Sequence, residues 1–481
     1  MAFGFFKKQE TADLILSNAK VCTMDYNLPW ASAVAIKEDK IIAVGDIEMM
    51  DELIDSSTEI RDLDGKYVFP GFINIYNSPC MKVFENRYAD LTECKTTDEV
   101  IETLKEWDED HPDEEVIFGF GYNEPLKPST NEEDEGDVSD EMDEDTNASK
   151  FFLDDVSDEK PIVLLCKNTV TCWTNSVAEN IVRETAEEEF VQIITVNYVL
   201  NLFIPFDFEE VEMDVKSEIE GMSDRGFTSI LNIQSPNYFE NLYQDSIIGL
   251  YNEGEMRQRF FGTYFVNRPI IPETINYMLL NRKTTCMEMG DMVHANMLNL
   301  YIDNASSNRP FTDENLKLIL EEVCERGFDI YINAVSGDDM ILAYDALEYI
   351  REKNYKNQIV IASDYLPLED EYLHKDECYS IWQPDIFKDN PFADQDLSID
   401  RVLEMLTKEA AKVIGMEDKL GTIAQGKLAD LAIFEENPYD YSPDKLSRLH
   451  AVMTILNGEI VYDLEAEADE EMYDLVSHMQ M

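Results

Sequence analysis

Basic residues are scarce in this chain: 38 lysines and arginines stand against 101 aspartates and glutamates over 481 residues, a formal net charge of −63. A surface of that sign repels phosphate backbones and anionic lipid heads, which argues against nucleic acid and membrane as partners. It suits a salty cytoplasm, where screening shortens the range of self-repulsion. Long apolar runs are missing too, since none approaches the roughly 20 residues that a membrane-spanning helix needs. The opening MAFGFFKKQE places its lysines after a very short apolar patch, the wrong order for a secretory signal, so the expected location is the cytoplasm.

Cysteine pairs are also lacking. Cys22, Cys80, Cys94, Cys166, Cys172, Cys286, Cys324 and Cys378 are scattered without C-x-x-C spacing. Neither a disulfide framework nor a cysteine-type zinc site is expected, and reduced buried thiols are the default. Histidine is rarer still. His111, His294, His374, His450 and His478 are dispersed, no two at ligand spacing, and each reads as a surface or loop residue.

What is present is an apolar fraction of 44%, enough for a sizeable core, and a length that allows one large domain plus a smaller one. The first seventy residues read as short strands, with Ala33 to Val44 forming a hairpin that turns at Glu38 and Asp39. After Pro70 and Gly71 the pattern changes to alternating strand and helix. Strand-like runs occur at Val116 to Phe120, Ile162 to Cys166 and Thr228 to Ile233, the last after a helical stretch ending at Gly226.

The clearest unit is Thr312 to Ala334: Thr312 as N-cap, Asp313 and Glu314 in the first turn, Gly327 as the stop, then the strand Phe328 to Ile332. Alternation sustained over some 300 residues predicts an α/β fold, a parallel (β/α)8 TIM barrel. Ser398 caps a long amphipathic helix ending at Gly415, and short strands return at Ala451 to Val461. The expected organisation is a small β-sandwich built from 1–69 and 417–464, with the barrel at 70–416 between them. Residues 131–150 are almost continuous carboxylate and read as a solvated loop; 465–481 is a milder acidic tail.

Several blocks carry a resemblance. ADLILSNAKVCTMD, WASAVAIKEDKIIAVG and DLDGKYVFPGFIN at the front are similar to the start of the amidohydrolase superfamily, in its type-3 branch, which includes N-substituted formamide deformylase. LTKEAAKVIGMEDKLGTIAQGKLADLAIFEENP matches again, through the spacing of Gly421, Gly426, Lys427, Ala429 and Asp430. CWTNS (Cys172 to Ser176) and the stretch from Asn333 to Leu347 also resemble family blocks. The resemblance implies a TIM barrel of the metal-dependent hydrolase type that hydrolyses C–N bonds. One or two divalent ions, usually zinc, would sit at the carboxyl-terminal mouth and activate water.

Carried over position by position, the family's ligands fall on residues of other kinds. The His-x-His pair after the PGF motif falls on Tyr76 and Ser78, and the histidine before the A-W-x-N-S block falls on Val170. The bridging lysine falls on Asn299, the histidine of H-A-I-G-D on Asn333, and that of I-E-H-A on Ile361. Ser363, Asp364 and Pro367 resemble the S-D-x-P motif of the catalytic aspartate, although SIWQP at Ser380 also allows them to follow the preceding strand.

Hydroxyl, amide and aliphatic groups are poor zinc ligands, and a hard ion would find only Asp364 and Asp303 as carboxylates. The sequence therefore predicts no cofactor and a weakened or silent hydrolase of amide-type bonds. A small-molecule-binding barrel without catalysis is the alternative, with Tyr76, Asn299 and Asn333 lining the mouth. A third reading is a hydrolase rearranged around thiols such as Cys80 and Cys172, or around carboxylates.

Overall fold

The computed structural model describes residues 11–77, 87–122, 151–166, 172–185, 196–204, 208–233, 237–269, 275–276, 278–280, 289–305, 310–362, 379–381 and 398–466. The acidic stretch 131–150 lies outside them. The chain divides into two compact units, one of residues 1–78, 216–234 and 249–481, the other of 79–215 and 235–248.

In the first unit seven described strands form one sheet in strict chain order: β1 (Phe72–Asn77), β2 (Phe227–Asn232), β3 (Arg259–Val266), β4 (Val293–Ile302), β5 (Asp329–Ala334), β6 (Ile359–Ala362) and β7 (Tyr379–Ile381). Every pairing is parallel. Parallel strands in chain order are what successive strand–helix units produce when each packs beside the last, the pairing of a TIM-type sheet.

Period-two alternation gives the sheet two apolar faces. Leu298, Leu300, Ile330, Ile332, Ile359 and Ile361 pack with the helices α1 (Asp313–Glu325) and α2 (Gly337–Glu352). Ile73, Leu231, Phe261, Met297, Tyr331, Val360 and Ala362 form the core of the opposite face. Gly71 shows why the first strand begins as it does: a Cβ there would stand 2.1 Å from the Thr228 hydroxyl, so only glycine admits the neighbouring strand so closely.

The α1 boundaries follow the sequence signals. Thr312 accepts from the Asn315 amide while the Asn315 side chain accepts from the Thr312 amide, a capping box, and Gly327 turns the chain at φ +75°. The helix capped by Ser398 is less regular than its apolar period suggests. It contains a π turn at Met405–Glu409, where the Thr407 hydroxyl donates 2.6 Å to the Leu403 carbonyl. Back-bonding of this kind occupies a helical acceptor and loosens the turn.

The strands Ile117–Tyr122 and Ile162–Cys166 do not join the seven. They pair with each other and with Ala89–Asp90 and Cys172–Thr174 in a four-stranded sheet of the second unit, and β1 pairs directly with β2. The single alternation expected from the sequence is thus split between two sheets. Hydrophobic period identifies a strand but not its partner.

Two further sheets belong to the first unit. Leu14–Ser17, Ala33–Lys37, Lys40–Gly45 and Glu59–Asp62 make one. Lys20–Cys22, Trp30–Ala31 and Tyr67–Pro70 combine with Leu431–Phe434, Ala451–Leu456 and Glu459–Asp463 in the other. A common apolar core draws Leu16, Val34 and Ile36 from the first of these sheets and Val68, Leu431 and Ile455 from the second.

Candidate functional site

In a parallel sheet of this order, side chains that act on ligands gather beyond the carboxyl ends of the strands. Strand register places Phe265, Asn299, Tyr331 and Val360 in one row, and Tyr301, Asn333 and Ala362 in the next row toward the carboxyl ends. Both rows lie on the face opposite α1 and α2, since Tyr331, Val360 and Ala362 belong to its core. Two polar side chains are buried here: Asn299 is 2% exposed and Asn333 7%.

The end of β2 is held by its neighbours. The Thr263 hydroxyl donates 2.7 Å to the Asn232 carbonyl, and the Asn299 amide nitrogen donates to the Ile233 carbonyl. A carbonyl can only accept, so the NH2 group of Asn299 has to face Ile233. That leaves Asn299 Oδ1 buried with no hydrogen-bond partner among the described residues.

Of the residues singled out by resemblance, the structure brings Asn299 and Asn333 to one face. Ile361 is not with them: it packs among the helix-facing residues, and Val360 and Ala362 take the opposite face of β6. Tyr76 lies within β1. Ser78, Val170, Asp364 and Cys80 lie outside the described residues. Asp364 follows β6 by two positions, and β7 comes after it in the sheet, so its motif stands before the last described strand. Asp303 is half-buried just past β4, and Cys172 opens an antiparallel strand of the second unit.

Two of the family-like motifs are structural. Asp430 receives the Arg259 guanidinium through Nε at 2.7 Å and Nη2 at 2.9 Å, with both side chains almost fully buried. Burial opposes the charge on Arg259, but Asp430 outweighs it and raises the guanidinium pKa. Gly421, at φ +81°, lies where a Cβ would come 2.8 Å from the Lys408 Cα, and Lys427 Nζ donates to the Glu417 and Leu420 carbonyls at 2.7 and 2.8 Å. In CWTNS, Asn175 accepts from the Ile162 and Ala178 amides and donates to the Ser157 and Lys160 carbonyls. Its neighbour Ser176 donates 2.6 Å to Asp154.

His294 corrects one expectation, because it is half-buried in a strand and not in a loop. It lies inside β4, stacked on Phe261 at 5.5 Å, with Nε2 3.7 Å from Asp291. Burial lowers its pKa, against the pull of Asp291. No sequence signal separated it from the other histidines, because a single imidazole in an apolar run has no spacing to read.

The model of the amidohydrolase family matches residues 59–368 and 388–462. The chain belongs to the amidohydrolase family. It is 26% identical over 185 residues to the exoenzymes regulatory protein AepA of Pectobacterium carotovorum subsp. carotovorum, covering 38% of the chain and 37% of that protein. It is 25% identical over 175 residues to the N-substituted formamide deformylase of Arthrobacter pascens, covering 35% and 29%. These matches therefore span well under two thirds of either curated relative.

Among solved structures, an uncharacterized metal-dependent hydrolase from Pyrococcus horikoshii OT3 is similar at TM-score 0.58 and 18% identity, over 89% of this chain and 99% of that one. A mutant of atrazine chlorohydrolase TrzN from Arthrobacter aurescens TC1, complexed with zinc and atraton, is similar at TM-score 0.51 and 12% identity, over 94% and 95%. The amidohydrolase thus has a TIM-barrel-like fold of the metal-dependent hydrolase type.

The expectation of no cofactor is corrected by the same findings, because the structurally similar proteins are metal-dependent hydrolases and one was solved with zinc. Among the described residues no three His, Cys, Asp or Glu side chains gather. Asn299 commits its nitrogen to a backbone carbonyl, Asn333 is a neutral amide and Ile361 faces the helices. These three positions do not fit zinc, which takes imidazole, thiolate or carboxylate. No chemical step is assigned through a metal at them.

Proposed function

We propose that this amidohydrolase acts on small molecules carrying an amide-type C–N bond, bound at the carboxyl ends of β1–β7, and that it turns them over slowly. Family membership and resemblance to the formamide deformylase support the bond type. The observation that carries the placement is the pair of buried amides, Asn299 and Asn333, on one face of adjacent parallel strands. A buried acceptor left open, as Asn299 Oδ1 is, is costly to keep in a core, and a ligand site gives it a role.

In this reading Asn299 and Asn333 bind and orient the substrate. Asp364, by its S-D-x-P resemblance, is the proposed general base that takes a proton from attacking water. Slow turnover follows from the donor set, since amides orient a carbonyl but neither ionise nor activate water. The two sheets that share the core around Val68 and Leu431 are read as a small β-sandwich built from both chain ends. The acidic composition disfavours nucleic acid and membrane as partners and suits a cytoplasmic protein.

The test is amine release from N-benzylformamide, benzamide, phenylurea and a chlorotriazine, with and without added zinc or manganese. Release above the uncatalysed rate but far below the median enzyme value of about 10 per second is expected. Asp364→Asn should then lower it at least tenfold. Zero release from every substrate under every condition would reject the hydrolase. Binding without release would favour the second reading, a small-molecule-binding barrel, which the neutral donors Asn299 and Asn333 also suit.

A further inference from the structure

We infer that Asn299 Oδ1 is a selectivity determinant that accepts a hydrogen bond from a ligand N–H, so that the site takes amides, ureas or formamides with a free N–H. N,N-disubstituted amides and esters are disfavoured. This rests on the proposed placement of the site and names its ligand class.

The inference stands on three observations. The Asn299 side chain is 2% exposed, and its oxygen has no hydrogen-bond partner among the described residues. Its nitrogen is fixed by the Ile233 carbonyl, so the amide cannot rotate to exchange its two ends without facing oxygen to oxygen. Asn333, 7% exposed, lies on the same face one row nearer the carboxyl ends. An acceptor held rigidly in this way complements a donor, and only a donor. A ligand oxygen or methyl group set against it would leave the lone pairs desolvated and unmatched.

The physical scale of such discrimination is large compared with that of apolar contacts. A site built to hydrogen-bond a donor rejects the analogue lacking it far more strongly than an apolar pocket rejects an extra methyl group. The donor and the analogue can have nearly the same shape, so the comparison isolates the hydrogen bond.

Titration calorimetry on the full chain with benzamide, N-methylbenzamide, N,N-dimethylbenzamide and methyl benzoate tests this without any variant. Benzamide and N-methylbenzamide should bind at least tenfold more tightly than the dimethyl amide and the ester. Asn299→Leu should reduce that ratio to within twofold, and Asn299→Ala, which also lacks an acceptor, serves if the leucine variant does not fold. Equal affinity across the series, or no binding of any of them, overturns the inference. So does a ratio that survives in the variant that folds. The two readings fail separately: substrate turnover without N–H selectivity sinks only this inference, and N–H selectivity without turnover sinks only the hydrolase.

Discussion

At the amino-terminal edge of the seven-stranded sheet, Arg259 opens β3 with its donors met. Asp430 takes Nε and Nη2, Asn457 takes Nη2 at 2.8 Å, and the Asp291 carbonyl takes Nη1 at 3.1 Å. Further along the neighbouring strand, Asn299 is just as buried and holds an oxygen with no partner among the described residues. The two side chains share one sheet and one degree of burial, yet the donors of Arg259 are met while the oxygen of Asn299 is left open. A saturated network fixes structure. An open acceptor carries a standing cost, which a ligand donor at Asn299 would remove.

The contrast is sharpest in stability. Asp430→Ala leaves the Arg259 charge buried without its carboxylate, and urea denaturation should show a loss of about 3–5 kcal/mol. Asn299→Leu removes a polar group that is only half matched, and its cost should stay under about 1.5 kcal/mol. Equal losses in the two variants would erase the distinction between the edges.

A smaller effect concerns pH. Burial holds the His294 pKa below its ordinary 6.5, so the folded chain resists protonating it. A group with a depressed folded pKa contributes stability that is present above the unfolded value and lost as pH falls. Charges facing it come from Asp291, which favours protonation, and from Lys419 and Arg259, which oppose it. Thermal melts should therefore show stability declining as pH drops from 7 toward 5, and His294→Phe, which keeps a ring on Phe261, should flatten that slope. An unchanged slope would remove His294 from the account.

Much of the fold was legible because its signals are local. Thr312, Ser398 and Gly327 mark helix ends through bonds made within a few residues, and the parallel sheet follows from the alternation of short apolar runs with helices. Asn299 and Asn333 were named through motif resemblance, and the strand register sets them on one face. Ile361 was not, because a strand has a period of two and a match displaced by one residue lands on the wrong side. The partner of Asp430 was hidden for another reason: Arg259 lies 171 residues away in sequence, and no pattern within either segment names the other. The separate sheet around Ile117–Tyr122 escaped for the same cause, since pairing is decided by the folded whole.

The most direct test of the open edge is a crystal structure of the full chain grown with benzamide. The account predicts the ligand at the carboxyl ends of β4 and β5, its amide nitrogen within hydrogen-bond distance of Asn299 Oδ1. Finding that oxygen capped by a protein group or a fixed water, with benzamide elsewhere or unbound, would contradict it.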